Sequence, residues 1–242
     1  MGLLTVDTIE PQSGTVLTVG ESGQNTVLAG NDLRANVVQD AGGNAIFTSN
    51  GSGTLSGVNS GFGSAWSLLR TETPSSAAAV DFGSTYITST YNHYVVRYYY
   101  VRPVTDNVYL SINFSGDGGS SFMQKTTTLF QAMHNDGDSV TQLDNETSRE
   151  LHEGTAAQWL NTGVGNATTE NCVGDLHLYI PTSTTFEQTF YSKSQERTYS
   201  DYSRVSYVSG TMQGVGTAIN LMRFAFSSGN IAAGKFKLFG MK

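Results

Sequence analysis

Charge is scarce in this chain: Lys, Arg, Asp and Glu make up 14% of its 242 residues. The formal net charge is −7, and no basic run occurs anywhere. A nucleic-acid partner needs clustered Lys or Arg to neutralise phosphates, so DNA and RNA are not expected as ligands. Long apolar runs are missing as well. None approaches the roughly 20 residues of a membrane span, so no membrane insertion is expected. The opening "MGLLTVDTIEPQSG" has neither a basic n-region nor an adequate apolar h-region, which argues against a signal peptide. Val6 stands where a myristoylation motif wants Ser or Thr. Cysteine occurs once, at Cys172, which excludes an intrachain disulfide framework. Such a chain works in a reducing compartment, or is assembled in one and released later.

What is present is β-forming. Gly is abundant at 27, Pro is scarce at 4, and aromatics reach 11%. Ser, Thr, Asn and Gly dominate the polar fraction, which suits short strands joined by tight turns better than helices. The first sixty or so residues stand apart. Their short β-prone runs, Thr15–Val19, Thr26–Leu28, Asn36–Val38 and Ala45–Thr48, are separated by Gly-rich turns such as "DAGGNA". Phe47 is the only aromatic before Phe62, too little for a closed core. This segment is either a linker or a piece that borrows a core from identical chains. "GFGS" at Gly61–Ser64 marks a boundary, giving domains at 1–62 and 63–242.

Beyond the boundary the strand signals are strong. "YNHYVVRYYYVRP" is almost all Val, Tyr and His, and period two places Tyr94, Val96, Tyr98 and Tyr100 on one face. Val95, Arg97, Tyr99 and Val101 fall on the other. "NVYLSINFS" alternates Val108, Leu110, Ile112 and Phe114 against Tyr109, Ser111 and Asn113. Residues Met133 to Thr169 carry either a short helix near Asn145–His152 or a long loop over the sheet. "GDLHLYIP" restores the alternation, with His177 on the outward side. The last stretch reads as a hairpin, Ile219–Phe226 against Lys235–Met241. About eight to ten short strands without βαβ alternation predict an all-β fold, an antiparallel β-sandwich of jelly-roll-like type.

Catalytic signatures are weak. Asp117 is the only acid in "SGDGGSS", which reads as a Gly-rich loop and not a calcium site. Asp136 and Asp138 read as a surface turn. His93, His134, His152 and His177 form no metal-ligand spacing, so no metal site and no cofactor are expected. No GxSxG occurs, and Cys172 reads as a buried structural thiol. Asp144, Glu146, Glu150 and Glu153 share one loop-like region without the two-sided arrangement that glycoside hydrolysis needs. No catalytic residue is assigned and the chain is not expected to be an enzyme. The residues singled out are Tyr91, Tyr94, Tyr98, Tyr99, Tyr100 and Tyr109, which crowd two adjacent strands. They read as core or subunit interface ahead of a sugar-stacking ligand surface.

Several stretches together resemble one family. "DFGSTYITSTYNHYVVRYYYVRPVTDNVYLSINFSGDGGSSF", "GDLHLYIPTSTT" and "SSGNIAAGKFKLFGMK" are similar in content and order to C-terminal domains of tailed-bacteriophage virion proteins of tail-fibre or head-fibre type, many from marine and cyanobacterial phages. Phe239 stands where that family commonly has Tyr. The similarity spans 65–242, and residues 1–62 resemble the short-stranded N-terminal parts of trimeric phage fibres. The resemblance implies a jelly-roll-like domain and a virion role, and it supplies no catalytic residues. It leads to a homotrimeric appendage, assembled in the host cytoplasm, anchored to a tail adaptor or the major capsid protein by residues within Met1 to Asn59. Its C-terminal domain would contact a host-surface glycan or protein. Two other readings stay open: a capsid decoration protein stabilising the head, and a carbohydrate-binding module or depolymerase.

Overall fold

A computed structural model describes residues 37–40, 42–49, 55–56 and 66–241. The chain divides into two compact units, Met1–Phe62 and Gly63–Lys242. In the first, β1 (Val37–Gln39), β2 (Ala45–Ser49) and β3 (Leu55–Ser56) form a small antiparallel sheet. The "DAGGNA" turn joins β1 to β2: the Asp40 carboxylate accepts the Gly42 and Asn44 backbone N–H groups at 2.8 and 2.9 Å. The predicted runs Thr15–Val19 and Thr26–Leu28 lie outside the described residues.

The second unit is a sandwich of two antiparallel sheets. Its strands are β4 (Trp66–Glu72), β5 (Val80–Phe82), β6 (His93–Pro103), β7 (Leu110–Ser115), β8 (Lys125–Asn135), β9 (Thr141–Asn145), β10 (Gln158–Trp159), β11 (Cys172–Tyr179), β12 (Thr189–Arg197), β13 (Tyr202–Met212), β14 (Leu221–Phe226) and β15 (Ile231–Met241). The large sheet runs β4-β15-β6-β11-β12-β13-β8-β9 and the small one β10-β7-β14-β5. From β4 to β8 the chain crosses between the sheets at every connection. It crosses again at β9–β10, β10–β11, β13–β14 and β14–β15.

That crossing overturns the predicted closing hairpin. β14 pairs with β7 and β5 in the small sheet, while β15 lies between β4 and β6 in the large one. Both strands carry an apolar inner row, and these rows meet face to face across the core. The Phe224 ring sits 5.3 Å from Phe236, 6.4 Å from Tyr98 and 6.4 Å from Phe82, so β14 grips β15, β6 and β5 at once. A side-by-side hairpin would bury the two rows on one sheet and leave the opposite layer without a partner. Phe114 and Phe190 make a second cross-layer contact at 5.0 Å.

The period-two reading of β6 holds as far as Tyr99 and then reverses. Tyr94, Val96 and Tyr98 are buried in the core, but Tyr100 is 72% exposed and Val101 takes the inward place. Tyr100 has φ +50°, and the pairing slips here on both sides, against β15 and against β11. Gly234, at φ +140°, lies opposite; a Cβ there would come within 2.9 Å of the Val101 Cα. The bulge adds one residue and flips every later side chain. Gly174 serves a different need: a Cβ there would meet the Tyr98 hydroxyl oxygen at 2.5 Å, so glycine makes room for the tyrosine in the core.

Past β11 the inner face of the large sheet turns polar: Ser192, Ser194, Glu196, Thr127 and Gln131 are all buried. The segment after β9 covers this region with hydrogen bonds. Within Met133–Thr169 neither the helix nor an unbroken loop forms: the end of β8, β9 and the short β10 are joined by loops with one 3-10 turn at Thr147–Arg149. Gln131 donates to Glu146 and accepts from the Thr162 hydroxyl, and Thr127 donates to Gln158. Glu196 is buried against Arg204 at 3.2 Å; desolvation raises its pKa, and the Arg204 charge opposes the rise. Lys125 is fully buried, donating to Asn113 Oδ1 at 2.6 Å, with no carboxylate in ion-pair reach among the described residues.

Two expectations follow. Phe236→Ala removes the ring that meets both Tyr98 and Phe224 and lowers unfolding stability by about 3–5 kcal/mol in urea denaturation. Burial lowers the Lys125 amine to about 8. Below that pH the lysine is charged in both states and the fold bears its desolvation; above its unfolded value of roughly 10.4 it is neutral in both. Between the two the unfolded chain holds the extra proton, so stability rises with pH. Relative to Lys125→Met, the wild type gains on the order of 2–3 kcal/mol from pH 8 to 10.5. A flat difference would show that Lys125 is not desolvated.

Candidate functional site: the outer face of the large sheet

Alternation along the strands sends a second set of side chains outward, and register lines them up across the sheet. Phe239, Val95, His177 and Tyr191 align over β15, β6, β11 and β12. One step along, Lys193, Tyr207 and Phe130 align over β12, β13 and β8. The rings stack. His177 lies 4.5 Å from Tyr191 with an 11° interplanar angle, and Phe130 lies 4.9 Å from Tyr207 at 10°. His93 stacks on Tyr179 at 4.3 Å. At the β4 edge Trp66 meets Phe239 edge-on at 5.7 Å, and the Arg97 guanidinium sits 4.8 Å above the Trp66 ring.

The stacking distances match the spacing between neighbouring strands, about 4.7–4.9 Å. The rings therefore stand upright on the sheet, each covering a face of its neighbour and turning edges and hydroxyls outward. Large apolar side chains remain exposed along this face: Leu68, Phe130, Leu143, Tyr191 and Tyr207. The stack breaks beside Tyr191. Its next partners in the same row are Ser209 and then Thr128, both too short to form a rung. Two shallow grooves of about 470 and 210 Å³ share Tyr191, Ser209 and Thr128 in their walls.

His93 and His177 add a titratable element. His93 Nε2 and His177 Nδ1 lie 2.9 Å apart. Burial lowers both pKa values; the neighbouring His177 adds to the drop at His93. At His177 the Asp175 carboxylate opposes the drop and Arg97 reinforces it. Tyr179 and Tyr191 flank the pair, and desolvation pushes the Tyr179 hydroxyl up to about 12.

The sequence-predicted tyrosines do not form one site. Tyr94 and Tyr98 are core residues, and the Tyr94 hydroxyl is held by Thr88, donating to its carbonyl and accepting its N–H at 2.8 Å each. Tyr91 packs edge-on against Tyr94. Tyr99 is on the outer face, 6.0 Å from the Lys237 amine, and Tyr100 projects from the bulge. Tyr109 belongs to the other sheet, stacked on Trp159 at 3.8 Å with Arg149 over both rings. The sequence reading passed over Trp66, Phe130, Tyr191 and Tyr207. Each stands at outward parity on its strand, and that parity was the available signal.

The acids weighed for chemistry are engaged locally. Asp117 accepts from Ser115, from the Ser121 hydroxyl and from the Ser121 N–H, which holds its pKa well below the usual range. Asp136 pairs with Arg197, and Asp138 with His134. Glu150 accepts the Thr128 hydroxyl and the Leu129 N–H. Cys172 is a buried free thiol whose pKa burial raises well above its usual value. Among the described residues no group of three or more His, Cys, Asp and Glu is placed to hold a metal ion.

The lowered histidine pKa values set a pH response. Below the ordinary value of about 6.5 the unfolded chain takes up protons that the folded pair resists, so stability falls as the pH drops. The double variant His93→Gln, His177→Gln should lose less stability than wild type between pH 6.5 and 5 in urea titrations; equal losses would show that the pair does not titrate. No protein-family model, no curated protein and no solved structure matches this chain.

Proposed function

We propose that this chain is a non-enzymatic structural protein of a tailed-bacteriophage virion, a short trimeric fibre-like appendage. Residues 1–62 anchor and trimerise it, and the sandwich contacts the host surface. The observation that carries the attachment half is the outer face of the large sheet. Upright rings and exposed Leu68, Phe130, Leu143, Tyr191 and Tyr207 gather on one side of a rigid layer. Exposed rings and apolar side chains on one sheet face favour an interaction surface. Two antiparallel sheets, with the chain crossing between them at most connections, support the jelly-roll reading. The motif resemblance supplies the virion context, and a single buried thiol suits assembly in a reducing cytoplasm followed by release. Three copies on one axis turn weak contacts into firm adsorption.

The proposal sets two expectations. Native mass spectrometry gives a particle of three 25.9 kDa chains; a stable monomer removes the trimer. Removing residues 1–62 leaves a folded sandwich that no longer joins the virion, scored by immunogold labelling of assembled particles. Retained labelling would place the anchor in the sandwich instead.

A further inference from the structure

The break in the outer-face stack has the chemistry of a binding site. Tyr191 presents one face to His177, 4.5 Å away and nearly parallel. Its opposite face looks along the same row over Ser209 and Thr128. One strand step equals one ring step here, so a ring standing over Ser209 would continue the stack. Ser209 is exposed, and Tyr191 remains 43% exposed beside it. The row itself provides no third rung; the space it leaves is the shared part of the 470 and 210 Å³ grooves.

The lining says what kind of ring fits. Besides Tyr191 and Tyr179, the hydroxyls of Thr189, Ser209 and Thr211 border the larger groove, as does Thr128, whose own hydroxyl donates to Glu150; Phe130 and Tyr207 wall the smaller one, and neither groove is lined by a charged side chain. Hydroxyls both donate and accept, which matches a ligand carrying a hydroxyl on most ring carbons. A phenyl or aliphatic side chain of a protein partner would fill the gap but leave those groups unpaired on desolvation. An acidic sugar would find no cation among the lining residues. The C–H face of a neutral pyranose can lie against the electron-rich face of Tyr191 while its rim hydroxyls meet the serine and threonines.

We infer that the gap between Tyr191 and Thr128 is a subsite for one neutral pyranose ring of a surface glycan. The inference rests on the reading of the sandwich as the host-contacting part, and it names the class of ligand for that face.

The test is saturation-transfer NMR on the full chain with methyl glycosides of glucose, galactose, mannose, rhamnose, N-acetylglucosamine and N-acetylgalactosamine. At least one should receive saturation on its ring C–H protons. Ser209→Tyr supplies the missing rung from the chain itself and should reduce that transfer at least fivefold while the melting temperature holds or rises. Tyr191→Ala removes the platform and should do the same, which covers the case that the Ser209 variant fails to fold. Val104→Ala, exposed in the loop that follows β6 and outside the strands of this face, should leave transfer unchanged. No transfer to folded wild type from any of the six glycosides, or undiminished transfer in Ser209→Tyr, overturns the subsite. Adsorption to cells on which the parent phage plates separates the two levels. Wild type and Ser209→Tyr adsorbing equally well would reject the subsite and keep attachment. Wild type remaining in the supernatant would reject attachment, while the glycoside titration still decides the subsite.

Discussion

The meeting of Phe224 with Tyr98 and Phe236 is the contact on which the sandwich depends. One ring from the small sheet lies against two from the large one, with Phe82 completing the group. Aromatic contacts of this kind add to a large burial of apolar area. Because it fixes β14 over β6 and β15, it also fixes which side of those strands faces in. Everything on the outer face follows by parity. Phe239 and His177 point outward because Leu238 and Leu178 point inward, and the register then brings residues of seven strands into rows.

The layer is not uniform. Near β15, β6 and β11 it is closed by hydrocarbon; beyond β11 Phe190, Val208, Met212 and Leu129 share it with buried amides, hydroxyls and one carboxylate with its arginine. A buried polar region is stable only when its groups find partners. Here the partners come from the long segment between β9 and β11. A few atoms remain without one, including Glu196 Oε2, Arg204 Nε and Ser206 Oγ. Buried serine and threonine on this inner face let a chain of modest hydrophobic content build an eight-stranded sheet, because part of the cover over that sheet is polar.

Much of the fold was legible in the sequence. Alternation located β6, β7, β11 and β15. Two things were not visible. The Tyr100 bulge depends on a slip against two neighbouring strands, and a period-two reading assumes an unbroken pleat. The sheet assignment of β14 depends on what lies across the core, whereas a short loop between two strands looks the same whether they pair or oppose. The outer face was harder still. Tyrosines adjacent in sequence drew attention, but adjacency in a strand sends neighbours to opposite sides. The rows that do form take one residue each from β4, β6, β8, β11, β12, β13 and β15, so no local window contains them.

The position of β15 bears on how the chain is made. It lies between β4 and β6, strands that leave the ribosome long before it, and it is the last strand of the sandwich to appear. Until then β4 has no neighbour and one edge of β6 stands unpaired. The nascent chain thus carries two open strand edges from the emergence of β6 until that of β15, and the core closes by threading a late strand between early ones. Such long-range pairing is slow, and unpaired edges invite pairing with other copies. A protein built this way has its most hazardous interval before completion, when its edges are most available to sister chains.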